Sequence, residues 1–261
     1  TEARARGAKV IHVDPRFTRT SANADKHIAI RAGSDVVLLG ALINYALEND
    51  LFFHEYVAAY TNASMLVRDD FQGTEDLDGL FSGFDEDTGT YDKASWAYAT
   101  GDDGTPLRDG TLTDPRCVLN VVRRHYSRYT PDLVQDVCGI PADDFEYLAR
   151  AVTENSGRER TTAFCYAVGW TQHTLGSQFI RTAGILQLLL GNVGRPGGGI
   201  MALRGHASIQ GSTDIPTLFN LLPGYLPMPV AGEHDTLAEY LEAFGSKDQK
   251  GFWANADAYT V

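Results

Sequence analysis

Two kinds of apolar run alternate along this chain. The short ones, Ala8–Val13 (AKVIHV) and Thr161–Val168 (TTAFCYAV), are β-leaning and too short for helices, so they predict strands. Asp14-Pro15 ends the first, because the residue before a proline is pushed away from the helical region. Asp25–Ile30 is a second short apolar piece. The long runs predict helices. Val36 to about Asn49 is apolar on more than one face and so largely buried, with Ser34 or Asp35 suited to its N-cap. Leu175–Leu190 has the same length and character. Leu51–Val67 predicts a helix or helix-turn, and Val118–Tyr129 a basic helix carrying Arg123, Arg124 and Arg128. Thr130-Pro131 has the form of a cap followed by proline at the first helical position, and Gly139 breaks that helix. Another runs from Pro141 to about Glu154. After Gly211 the chain is loop-like, with Pro216, Pro223, Pro227 and Pro229, before a helix near Thr236–Phe244. The first ten residues, TEARARGAKV, have the pattern of a last helical turn feeding a strand, and the chain stops at Val261 without a closing element. Both ends predict a piece of a longer protein.

Strands separated by helices predict an α/β fold with a mostly parallel sheet flanked by helices. One segment breaks the pattern. Gln72–Arg116 is rich in Gly, Asp and Thr and predicts a surface insertion, with a hairpin turn at Asp103-Gly104. Its acidic residues lack the spaced ligands and terminal glutamate of a twelve-residue calcium loop, so they indicate solvation.

With 22 basic and 34 acidic side chains, the net charge of −12 makes a nucleic-acid backbone an unsuitable partner. No apolar run is long and clean enough to span a bilayer as a helix. The cysteines, Cys117, Cys138 and Cys165, include no CxxC pair, so no zinc or iron–sulfur ligand set is visible. Cys165 lies inside an apolar run and is expected in the core.

Candidate chemistry concentrates in Thr161–Gly211. A strand turns at Gly169 into the polar patch Trp170-Thr171-Gln172-His173. A helix, a glycine-rich loop (Gly194–Gly199) and Arg204-Gly205-His206 follow. A strand leading through a tight turn into a helix presents backbone N–H groups to an anionic ligand, with Arg204 as the anion-facing side chain. The plainer alternative is a buried core with a surface loop. Asp14, Arg16, Thr18 and Arg19 stand where α/β sheets bind ligands, or form a capped turn with solvated arginines. Ser34 and Asp35 either cap a helix or accept from a purine; a carboxylate matches the N1–H and N2–H edge of guanine. Ser208, His206 and Asp214 do not make a convincing hydrolase triad, since no GxSxG elbow accompanies them.

Seven segments in order, VDPRFTRTSANADKHIAIRAGSD, HEYVAAYTNAS, LFSGFDEDTGTYDKASW, HYSRYTPD, GWTQHTLG, LLLGNVGRPGGG and ALRGHASIQGSTD, together resemble the large subunit of respiratory formate dehydrogenases. These belong to the molybdopterin oxidoreductase (dimethyl sulfoxide reductase) superfamily. The resemblance covers nearly the whole chain. It implies a Rossmann-like domain binding molybdopterin guanine dinucleotide, two per parent enzyme, with molybdenum or tungsten.

By the same resemblance Asp14, Pro15, Arg16 and Thr18 form a nucleotide-contacting loop after a strand, and Gly33, Ser34 and Asp35 recognise the guanosine end. Val168, Gly169 and Gln172 form a later cofactor loop. Arg204 orients formate beside the metal, with Gly205 and His206 next to it; some relatives carry glutamine at the position of His206. The cysteine-rich segment for a 4Fe-4S cluster, the cysteine or selenocysteine metal ligand and the C-terminal pterin domain have no counterpart here. The resemblance therefore implies a central fragment, inactive alone. Residues 1–206 would be the dinucleotide-binding domain with its insertion at about 72–116, and 207–261 the start of the return into a neighbouring domain. The implied parent oxidises formate to carbon dioxide. Its partners are an iron–sulfur beta subunit and a membrane cytochrome subunit, which would place it in the periplasm, peripheral to the inner membrane. A nitrate reductase-like enzyme on the same scaffold, or a structural subunit that lost the cofactor, are the alternatives.

Overall fold

A computed structural model describes residues 2–203, 205, 211 and 220–245. The chain divides into two compact units, residues 1–202 and 203–261.

The first unit begins with α1 (Glu2–Ala5), β1 (Ile11–Val13), α2 (Arg19–Asn23), β2 (Lys26–Ile28), α3 (Asp35–Glu48) and α4 (His54–Tyr60). The hairpin β3 (Phe84–Asp85) and β4 (Thr90–Tyr91) follows, then α5 (Val118–Tyr126), α6 (Pro131–Leu133) and α7 (Ala142–Glu154). It ends with β5 (Ala163–Tyr166), α8 (Val168–Thr171), α9 (Gly176–Leu189) and β6 (Gly199–Ala202).

Helix α3 is apolar nearly all round and is buried accordingly, from Leu38 through Leu47 with only Tyr45 partly open. It packs on α9 through Leu39 against Phe179 and Ala183, and through a larger core holding Leu42, Ile43, Leu47, Leu186 and Leu190. Gly40 is small because the Tyr129 ring lies against it: a β-carbon there would sit 2.8 Å from that ring. Local signals are realised where the chemistry is local. The Thr130 hydroxyl accepts from the Leu133 N–H at 3.2 Å, and α6 begins at Pro131. The following π-type turn, Val134–Cys138, stops at Gly139 in the left-handed region (φ 71°), which costs glycine little.

The expected sheet joining residues 8–13 to 161–168 is not what forms among the described residues. β1 pairs in parallel with β2 (Ile11↔Lys26 to Val13↔Ile28). β5 pairs in parallel with β6 (Ala163↔Gly199 to Tyr166↔Ala202). Each strand takes the next parallel strand along the chain as its partner, through a helical crossover. The architecture is mixed helix and strand with small sheets. β6 begins inside the glycine-rich stretch read as loop. Cys165 is exposed, not core: strand residues alternate faces, so Phe164 packs inward and Cys165 outward, opposite an exposed Met201. Residues 51–67 form a shorter helix than expected, because Thr61 ends α4 and Met65, Leu66 and Val67 instead make antiparallel bridges to Arg108, Cys117 and Tyr98.

The pair β5–β6 is held by a buried amide network. Gln187, fully buried, donates to the carbonyls of Thr162 (2.8 Å) and Gly199 (2.6 Å). Its own oxygen accepts from Asn192 at 2.8 Å, and Asn192 accepts in turn from the Thr162 N–H. Gly198 lies so close to the Asn192 carbonyl that a β-carbon would sit 2.2 Å from it.

The insertion carries eleven carboxylates and three basic side chains over residues 72–116, −8 of the chain's −12. It is fastened to α5 by ion pairs, Asp76 with Arg124 at 2.7 Å and Glu75 with His125 and Arg128. Burial raises the Glu75 carboxyl, but the Thr74 hydroxyl, a backbone N–H and the His125 and Arg128 charges outweigh it, so the net shift is downward. The turn at Gly101–Thr105 forms as expected, with the Gly101 N–H donating to Thr105. Asp109 organises the return. Its carboxylate accepts from the Thr111 hydroxyl and from the N–H groups of Asp114, Thr111 and Thr113, which together hold its pKa well below the usual range.

The second unit, described by itself, contains the short antiparallel pair β7 (Leu221–Leu222) and β8 (Leu226–Pro227), then α10 (Leu237–Phe244). Thr236 and Glu239 form a reciprocal capping box at the start of α10. Leu226 and Tyr240 make its small core, with the Tyr240 hydroxyl donating to the Pro227 carbonyl.

Two outcomes follow. Gln187→Leu removes two donors from buried carbonyls and should cost roughly 2–4 kcal/mol, read from the denaturant midpoint; an unchanged midpoint would show that the network adds nothing. A depressed carboxyl pKa contributes stability above the ordinary carboxylate value, lost as pH falls through the folded value. Asp109→Asn should therefore speed amide hydrogen exchange at residues 111–114 at neutral pH. In the unaltered protein the same loosening should appear only below the range in which ordinary carboxylates protonate.

Candidate functional site

The loop after β1 lies beside the end of β2, and the loop after β2 touches the loop after β5. After β1, the Asp14 N–H donates to the Ile28 carbonyl, and Asp14 Oδ1 accepts from the Arg16 N–H at 2.7 Å, making a tight turn around Pro15. His27 Nε2 lies 2.9 Å from the Asp14 carbonyl oxygen, and so carries the proton that it donates there. Thr18 caps α2: its hydroxyl accepts from the Thr20 N–H, while Ser21 Oγ accepts from the Thr18 N–H. The Arg16 side chain is exposed and has no protein partner among the described residues.

After β2 the chain turns at Arg31–Asp35. Arg31 donates to the carbonyls of Asp136 and Val137, which fastens this loop to the turn before Gly139. Gly33 has φ 89°, a conformation open to glycine and strained for other residues. Ser34 stands at the N-cap position, but its hydroxyl donates back to the Arg31 carbonyl at 2.6 Å and caps nothing. Asp35 is the first helical residue of α3 and also leaves the cap unmade: its Oδ1 accepts from the Trp170 indole N–H at 3.0 Å.

After β5, Val168–Thr171 is one helical turn, with Val168, Gly169 and Gln172 exposed. The Gln172 side chain has no partner among the described residues. Trp170 stacks on Tyr166, with ring centroids 5.1 Å apart and planes 24° apart. His173 packs against Gly33, where a β-carbon would lie 3.2 Å from its ring. Gly176 allows α9 to start hard against the preceding turn: a β-carbon there would meet the Trp170 carbonyl at 2.3 Å.

Asp14, Pro15, Arg16 and Thr18 thus stand in the loop after β1, beside the end of β2, while the Gly33-Ser34-Asp35 loop touches the turn that carries Val168, Gly169 and Gln172. Gly205 is exposed and belongs to the second unit. Arg204 and His206 lie outside the described residues, as do Ser208 and Asp214. Trp170 and His173, which join the second and third loops, were read only as part of a polar patch, with no role assigned to either. Their partners are 135 and 140 positions away, and no local pattern signals such a contact. Among the described residues no group of three His, Cys, Asp or Glu side chains could hold a metal ion. Two cavities of about 340 and 460 Å³ lie beside Phe53 and beside Arg116 and touch none of these loops.

Residues 1–249 match the molybdopterin oxidoreductase family. The chain belongs to that family. Molybdopterin oxidoreductases imply a molybdopterin cofactor with molybdenum or tungsten. Three curated relatives are similar to nearly the whole chain. The nitrate-inducible formate dehydrogenase major subunit of Escherichia coli K12 is 50% identical over 97% of this chain and 25% of its own length. The formate dehydrogenase-O major subunit of the same organism is 48% identical over 98% and 25%. The formate dehydrogenase 2 subunit alpha (cytochrome c-553) of Nitratidesulfovibrio vulgaris is 44% identical over 99% and 26%. The chain spans about a quarter of the length of these relatives.

The donor set suits a molybdopterin cofactor. A phosphate needs cations and exposed backbone N–H groups, and Arg16 and the α8 turn offer them. A heterocycle edge that carries N–H donors needs an acceptor, and Asp35 offers a carboxylate bonded to the Trp170 indole. Close approach of a flat ligand needs bare backbone, and Gly169 has open space where a side chain would stand.

Proposed function

We propose that this chain is part of the catalytic subunit of a formate dehydrogenase, in which residues 1–206 form a Rossmann-like domain holding molybdopterin as its guanine dinucleotide. The single observation carrying the reading is the 44–50% identity to three formate dehydrogenase subunits across almost all of these residues. The loops after β1, β2 and β5 support it, because their side chains match the parts of such a ligand in kind. Asp35 accepts from guanine. Arg16 and the turn at Asp14–Pro15 face phosphate. The bound group supplies the two-electron redox chemistry, formate giving carbon dioxide, a proton and two electrons.

Arg204 holds the formate carboxylate. Guanidinium offers two parallel N–H donors that match a carboxylate, which a lysine cannot do. The flanking Gly205 lets backbone approach the substrate closely, and His206 stands beside it. In the same reading the electrons leave through a 4Fe-4S cluster to an iron–sulfur beta subunit and a membrane cytochrome subunit. The assembly sits in the periplasm at the inner membrane.

Two variants of the full-length enzyme test the two halves of the proposal. Asp35→Ala should lower bound metal and pterin, measured by elemental analysis and released nucleotide; unchanged content would remove the guanine assignment. Arg204→Lys should keep cofactor content near normal and lower kcat/KM for formate by roughly 30- to 1000-fold, the equivalent of about 2–4 kcal/mol. Activity within about twofold of the unaltered enzyme, or a loss that tracks missing cofactor, would overturn the catalytic role.

A further inference from the structure

A carboxylate discriminates guanine from other purines only if its plane is held. Guanine presents N1–H and N2–H side by side, and both oxygens of one carboxylate must face them together. An aspartate at the first turn of a helix is ordinarily free to rotate, or swings back to cap the helix. Asp35 does neither. Its Oδ1 accepts from the Trp170 indole N–H at 3.0 Å, while Oδ2 has no protein donor among the described residues. Each carboxylate oxygen can accept two hydrogen bonds, so Oδ1 keeps one site open beside a fully open Oδ2.

The indole is itself held. Its ring stacks on Tyr166 at the end of β5, and Gly176 lets α9 close on the Trp170 carbonyl. Three positions further along the chain, the His173 ring rests on Gly33, so one turn grips both ends of the Gly33–Asp35 loop. The neighbouring cap side chain, Ser34, is occupied with the Arg31 carbonyl and does not compete for Asp35.

We infer that Trp170 is a positioning residue that sets nucleotide selectivity: its indole N–H fixes the Asp35 carboxylate in the orientation that pairs with the N1–H and N2–H edge of guanine. The inference rests on the proposed role of Asp35 as guanine acceptor and goes beyond it, by assigning selectivity to a residue on a different loop that need not touch the base.

The test compares GDP with inosine diphosphate, which lacks the 2-amino group and is otherwise the same, binding to full-length apoprotein by calorimetry. The unaltered protein should prefer GDP by about 10- to 100-fold, the range of one hydrogen bond to a charged acceptor. Trp170→Phe keeps an aromatic ring for the Tyr166 stack and removes the donor. It should bring the GDP preference to within about threefold, leaving inosine diphosphate affinity within about threefold of the unaltered protein. A merely structural role would weaken both nucleotides together and leave their ratio intact, and that result overturns the inference. If Trp170→Phe does not fold, benzothienylalanine at position 170, which has the indole shape without the N–H, gives the same comparison. An unaltered protein that binds both nucleotides equally would instead refute the guanine role of Asp35 itself. A preserved preference in the Trp170 variants leaves that role standing and refutes only the positioning by Trp170.

Discussion

The packing of α3 on α9 is the constraint on which the first unit depends. Both helices carry a broad apolar face that their packing removes from water. Burying one leucine or phenylalanine side chain contributes on the order of 1.5–3 kcal/mol. Leu39, Leu42, Ile43 and Leu47 meet Phe179, Ala183, Leu186 and Leu190 along this contact. The N-termini of the two helices follow the loops after β2 and β5. Once the helices are docked, the backbone at Asp35 and the 168–173 turn lie side by side, within reach of one hydrogen bond. The hydrogen bond between Asp35 and Trp170 is a consequence of that docking more than a cause of it.

Polar groups inside this core are placed for direction more than for strength. Gln187 and Asn192 are fully buried and use their amides to tie the start of β5 to the start of β6. An apolar side chain at 187 would fill the space but leave two strand carbonyls without donors. The insertion follows the opposite rule. Its ion pairs to α5 are largely exposed, and such pairs contribute little individually. Its shape comes instead from short loops closed by aspartates that accept from the N–H groups following them, as Asp85, Asp92, Asp103 and Asp109 do. The acidity read as solvation thus has a structural use at several of its carboxylates, Asp114 with the Arg116 N–H included.

The position of the candidate loops was legible in the sequence, because loops in α/β chains follow strands and strands end on readable signals. Asp14-Pro15 and Gly33-Ser34-Asp35 stand where the strand and helix patterns put them. The side-chain roles within those loops were less legible. Ser34 and Asp35 both have the composition of a helix cap, yet Ser34 turns back to Arg31 and Asp35 turns across to Trp170. Local propensity describes what a residue can do with its neighbours in sequence. It has no information about a donor arriving from another loop.

By itself, the sequence determined what depends on adjacent residues: the cap at Thr130, the helix near Thr236–Phe244, the stop at Gly139, and the burial of a helix apolar on more than one face. Order and kind of motif carried the family as well, since seven segments in register leave few other interpretations. Tertiary structure decided the pairings. Which strand lies beside β1, whether Cys165 faces inward, and what holds Asp35 in place all depend on contacts between residues far apart in the chain. Such contacts are selected by the shape and volume of the docked helices, and composition and spacing do not encode that shape in any short window.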